Sequence, residues 1–137
     1  MTPDNKGSGE PIRILVLEDE HALRGAVVRI LELHGHEVYD APSAAEARGA
    51  LNALDEPIHL LLCDLVLEGL DGREAAIMLQ ARRPEMRVLF MSGFSSPNSF
   101  RNELEASEAV FLAKPFDSNT LLDAVRMALE GDPPGSR

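Results

Sequence analysis

Apolar residues along this chain alternate between two kinds of run. The first run, Ile12 to Leu17, is almost unbroken, as in a strand buried on both faces. Ala22, Leu23, Ala26, Val27, Ile30 and Leu31 then recur at offsets of three and four, which draws one buried stripe along a helix ending near Gly35. A short strand over Glu37 to Asp40 leads to Pro42-Ser43, a helix-start signal, and Ala44, Ala47, Leu51 and Leu54 mark a second helix. Pro57 closes that connection, and Ile58 to Cys63 reads as a central parallel strand.

The alternation continues to the end of the chain. A third helix spans about Gly72 to Arg82 and stops before Pro84; Val88 to Met91 supplies a fourth strand. The weakest helical pattern, Asn98 to Ala106, has Phe100 and Leu104 as its strong apolar pair and is expected to be the most mobile element. Val110 to Ala113 gives a fifth strand, and Leu121, Leu122, Val125 and Leu129 line a terminal helix. Five strand-helix units imply an α/β fold with a parallel sheet, because parallel neighbours need crossover helices. The expected arrangement is doubly wound, with a ligand beyond the carboxyl ends of the strands.

The chain of 137 residues suits one domain, here residues 12–130, between polar tails at 1–11 and 131–137 rich in Gly, Pro, Ser and Asp. A content of 45% hydrophobic and 26% charged residues is that of a folded globular chain. No apolar run reaches the roughly 20 residues needed to span a bilayer, and the first residues lack a signal-peptide stretch, so the cytoplasm is the expected location. The net charge of −10 argues against nucleic acid or an anionic membrane as a direct partner. Cys63, the lone cysteine, ends an apolar run and reads as a core residue rather than a redox centre.

The polar residues at the strand ends carry the chemistry. They are Glu18 and Asp19 after strand one, Asp64 after strand three, Ser92 after strand four and Lys114 after strand five. Singly, Asp19 could cap a helix, Asp64 start a turn, Ser92 begin a loop and Lys114 solvate a surface. Together they bring three carboxylates to one place, which is costly unless a cation or a proton offsets them. Magnesium, or manganese, fits oxygen ligands. A carboxylate such as Asp64 can attack phosphorus, an ammonium such as Lys114 can offset charge on the transferring oxygens, and the Ser92 hydroxyl can donate to one of them.

The segments VLEDE (16 to 20), DLVLEGLDG (64 to 72), MSG (91 to 93) and KPF (114 to 116) resemble a bacterial response-regulator receiver domain over roughly Ile12 to Leu129. That resemblance implies a flavodoxin-like (βα)5 fold with strand order 2-1-3-4-5, and a phosphorelay protein rather than an enzyme acting on a separate substrate. It assigns Glu18 and Asp19 to the metal site, Asp64 as phosphoacceptor, and the Val66 backbone carbonyl as a further ligand. Ser92 and Lys114 would contact the phosphoryl group, Phe111 would be the aromatic switch, and Lys114-Pro115 a cis peptide. Val66 and Phe94 flank the approach of water and would set signal lifetime. The partners implied are a sensor histidine kinase or a histidine phosphotransfer protein, and an unknown downstream protein. A second copy of the chain could also dock through the fourth helix, fifth strand and fifth helix.

The chain departs from the family's commonest pattern at three places: Glu18 where Asp is usual, Ser92 where Thr is also common, and Glu68 where Pro is frequent. Asp71-Gly72 reads as a turn and helix start. Two rival readings stay open at this point. A receiver-like module could act without phosphorylation, and a small aspartyl-phosphate hydrolase would share the nucleophile but would want a second Asp where Val66 stands. A dinucleotide-binding enzyme would need a glycine-rich turn after strand one, where this chain has Leu-Glu-Asp-Glu.

Overall fold

The computed structural model describes residues 11–93 and 111–131. Their elements follow in the order β1 (Arg13–Leu17), α1 (His21–Leu33), β2 (Glu37–Ala41), α2 (Ala44–Ala53), β3 (Leu60–Asp64), β4 (Val66–Leu67), β5 (Leu70–Asp71), α3 (Gly72–Arg82), β6 (Arg87–Ser92), β7 (Phe111–Ala113) and α4 (Ser118–Glu130). The helix expected over Asn98 to Ala106, the residue Phe94 and most of both tails lie outside the described residues.

Five strands form one parallel sheet in the order β2-β1-β3-β6-β7, which is the order 2-1-3-4-5 expected from the sequence. Side chains of β1 and β3 alternate between two cores because successive strand residues face opposite sides. Leu15, Leu17, Leu61 and Cys63 pack with Leu51 of α2 and Leu79 of α3. Ile14, Val16, Leu60 and Leu62 pack with Val27 and Leu31 of α1 and Leu121 and Val125 of α4. The central strands are covered on both faces, and this explains their unbroken apolar runs.

Local chemistry sets the helix boundaries. Ser43 caps α2 by accepting the Glu46 backbone N–H at 3.2 Å. Asp71 caps α3 from the Arg73 N–H at 2.8 Å, so the Asp71-Gly72 pair is the helix start its sequence suggested. Asp117 caps α4 through the Thr120 N–H at 2.8 Å, a bond that holds its carboxyl below the usual range. Past the end of α1, Gly35 takes φ 89°, the left-handed conformation a glycine terminator allows.

Strand ends shift by a residue or two from the sequence expectation, and one hairpin is new. The third strand begins at Leu60 rather than Ile58, although the His59 N–H already bonds the Arg13 carbonyl at 2.9 Å. The β4-β5 hairpin was not foreseen: each strand has two residues, too few to show alternation, and its turn passes through Gly69 at φ 74°.

Candidate functional site

Asp64 is the last residue of β3, the central strand, with Met91 of β6 beside it in register. Glu18 and Asp19 follow β1 directly. After β1 the chain crosses to β2 on one side, and after β3 it crosses to β6 on the other, so these acids stand at the point where the winding reverses. Ser92 ends β6, and its backbone carbonyl accepts the Lys114 N–H at 2.7 Å, which ties the residue after β7 to the same edge. All five residues expected from the strand ends therefore lie along one edge of the sheet.

The Lys114 ammonium bridges two buried carboxylates, at 2.8 Å from Asp64 Oδ2 and 3.0 Å from Glu18 Oε1. Burial pulls against its charge, but the bonds to Asp64 and Glu18 outweigh that and its pKa is raised. The second Asp64 oxygen, Oδ1, accepts the Val66 N–H at 3.1 Å. Glu18 is fully buried, and its Oε2 accepts the Glu20 N–H at 2.9 Å. Loss of water pushes the Glu18 carboxyl up to about 7, with repulsion from Asp64 adding to the rise and the bonds from Glu20 and Lys114 opposing it. Asp19 is exposed and takes the Glu68 backbone N–H at 2.8 Å, so the β4-β5 turn steadies it.

One carboxylate oxygen from each of Glu18, Asp19 and Asp64 falls within 4.8 Å of the others. Three hard oxygen donors at that spacing suit magnesium or manganese, with room for retained waters. Ser92 Oγ is buried with no hydrogen-bond partner among the described residues, an unused donor beside the cluster. Lys114-Pro115 is cis. Phe111 is half-buried and stands beside Phe90 in register, outside both core clusters. The Cys63 thiol is buried among apolar neighbours and its ionisation is suppressed first by that burial, in keeping with a core role.

Two supports of the site act through contacts that the sequence pattern does not signal. Gly72 approaches the Asp64 backbone so closely that a Cβ there would lie 1.9 Å from the Asp64 carbonyl oxygen, while its N–H bonds the Leu65 carbonyl at 2.8 Å. Arg24, a polar position on α1, donates from Nη1 to the Glu18 carbonyl at 2.9 Å.

Residues 14–126 match the sequence profile of the response regulator receiver domain. The chain belongs to that family. It is 31% identical over 117 residues to the response regulator receiver protein CpdR of Brucella abortus, covering 85% of this chain and 96% of that protein. It is 32% identical over 124 residues to the response regulator protein FleR of Pseudomonas aeruginosa, but spans only 26% of FleR's length. A solved CheY-like receiver from Methanospirillum hungatei superposes with TM-score 0.74 at 28% identity, over 88% of this chain and 95% of that one. The fold is thus the flavodoxin-like fold of CheY-like receivers, and the chain is a receiver domain of two-component phosphorelay signalling. The family is regulatory, and its members interact with sensor kinases or phosphotransfer proteins. Among the described residues, no helix is long and apolar enough to cross a membrane.

Proposed function

We propose that Asp64 accepts the phosphoryl group, from a sensor histidine kinase or a histidine phosphotransfer protein, and that the domain signals by a change of conformation. The observation that carries this reading is the Lys114 ammonium 2.8 Å from Asp64 Oδ2, beside an acidic pair whose carboxylates complete a cluster within 4.8 Å. An Asp64 oxygen forms the new O–P bond as the N–P bond of a phosphohistidine breaks, and the departing imidazole nitrogen takes up a proton from solvent. Lys114 faces the oxygens that gain charge, and the buried Ser92 hydroxyl, without a hydrogen-bond partner among the described residues, would donate to one of them.

Glu18, Asp19, Asp64 and the Val66 backbone carbonyl would hold magnesium or manganese, which when bound offsets charge on the phosphoryl oxygens. Ser92 and Phe111 would couple the new contacts to the face that β7 and α4 contribute to, where a downstream protein or a second copy of the chain would dock. The domain catalyses only its own phosphorylation and dephosphorylation, and it works in the cytoplasm.

The test is acid-labile labelling by acetyl phosphate with magnesium present. Wild type should label and Asp64→Asn should not. Labelling of the variant at the wild-type level would move the acceptor elsewhere. A wild-type protein that takes no label from this donor or from a phosphorylated phosphotransfer protein would favour the phosphorylation-independent module.

A further inference from the structure

Arg24 stands sixteen residues before Asp40 and six after Glu18, yet its guanidinium joins the two. Its Nε donates to Asp40 Oδ2 at 2.9 Å, its Nη1 to the Glu18 carbonyl at 2.9 Å, and its Nη2 lies 3.3 Å from His21 Nδ1. The side chain is 13% exposed, against 44% for Asp40. A pair with so exposed a partner contributes little energy by itself. Its effect is geometric: Asp40 turns the guanidinium fork so that another N–H points at the Glu18 carbonyl.

That carbonyl needs a donor for a topological reason. Glu18 extends β1 by one residue, and its N–H still bonds the Ala41 carbonyl of the edge strand at 3.2 Å. Beyond it the chain turns away toward α1, and among the described residues no backbone N–H of the sheet is seen to bond the Glu18 oxygen. Arg24 supplies the missing bond. The plane it fixes is the Glu18-Asp19 peptide, which sets where both acids project, while Glu68 steadies Asp19 from the far side through its N–H.

We infer that Arg24 is a positioning residue for the cation site, holding the Glu18-Asp19 peptide in register with Asp64, with Asp40 as its anchor. The inference rests on the reading of the acidic cluster as a magnesium site. Partners one shell out from metal ligands typically change affinity by about tenfold or more when removed.

The experiment is magnesium titration of the whole chain by calorimetry, alongside thermal melting in chelator. Arg24→Ala should raise the magnesium Kd by about tenfold. Arg24→Lys should fall between, because one ammonium cannot serve both Asp40 and the Glu18 carbonyl along a fixed fork, and Asp40→Asn should weaken binding less. Arg83→Ala is the control, since Arg83 donates to the Leu51 carbonyl in the last turn of α2 and to the Leu54 and Glu56 carbonyls beyond it. It should lower Tm and leave the magnesium Kd unchanged. If Arg24→Ala does not fold, Arg24→Lys and Asp40→Asn carry the comparison. Arg24 variants that melt earlier but bind magnesium as wild type does would overturn the inference and leave the cation site standing. A wild-type chain that binds no magnesium would remove the site reading itself.

Discussion

Lys114 Nζ lies 2.8 Å from Asp64 Oδ2 across fifty residues of sequence, and the same nitrogen reaches Glu18 Oε1 at 3.0 Å. One ammonium thus separates two buried carboxylates that would otherwise repel each other. A buried carboxylate left without its partner is costly, and the cost is largest where both acids are ionised.

Replacing Lys114 by Met should therefore have two effects. Labelling by acetyl phosphate should slow by about a hundredfold, as when one charge-stabilising donor is removed from a transferring group. In chelator at pH 8 the variant should also melt earlier than wild type, and adding Glu18→Gln should restore part of that loss by removing one of the facing charges. Initial labelling rates and melting curves check both; a double variant no more stable than Lys114→Met would contradict the pairwise repulsion.

The sequence made the sheet legible because its central strands are covered on both faces and end in polar residues, so runs such as Ile12 to Leu17 announce both the strand and the site beyond it. Asp19, Asp64, Ser92 and Lys114 could be found this way. What stayed hidden was whatever depends on distant backbone. Arg24 occupies an ordinary polar position of an amphipathic helix, and only the fold brings Asp40 to it. Gly72 looked like a helix start, which it is, but its contact with the Asp64 carbonyl exists only in three dimensions. The β4-β5 turn, whose Glu68 N–H steadies Asp19, is too short to leave a periodic trace.

Glu18 gives the apo domain a pH dependence. Its carboxyl is pushed up to about 7 from an ordinary 4.5, chiefly by burial, so ionising it costs more in the folded chain than in the unfolded one. The stability it contributes is complete below pH 4.5 and is lost as pH rises through 7. In chelator, wild type should lose up to about 3 kcal/mol relative to Glu18→Gln between pH 4.5 and pH 8, at roughly 1.4 kcal/mol for each tenfold change in proton affinity. Urea melts of both proteins across that range provide the check, and parallel pH profiles would refute the assignment. Saturating magnesium should shrink the difference by stabilising the ionised form.

Gly72→Ala tests the close approach beneath the acceptor. The added methyl would sit 1.9 Å from the Asp64 carbonyl oxygen and the clash is with backbone, so no side chain can swing aside. We expect a loss of about 3 kcal/mol, at the upper end for overpacking, with slower labelling in whatever remains folded. A variant as stable as wild type in urea would mean that the α3 start is free to shift, which the Gly72 N–H bond to the Leu65 carbonyl at 2.8 Å argues against.

Signal lifetime depends on whether water can be held in line with the aspartyl phosphate. Val66 stands two residues after Asp64, with its N–H on Asp64 Oδ1 and a half-buried isopropyl side chain that offers water no hydrogen bond. Phe94, two residues after Ser92, is equally unable to bind water through its side chain, though it lies outside the described residues. An apolar side chain at each position should give slow self-dephosphorylation, suited to a persistent signal or to return of the phosphoryl group to a histidine. Val66→Asn supplies an amide at the same backbone position and leaves the N–H to Asp64 in place, so acceptance should survive while decay accelerates. The measurement is loss of label after the donor is removed: wild-type decay within seconds, or an unchanged rate in Val66→Asn, would show that these side chains do not control the approach of water.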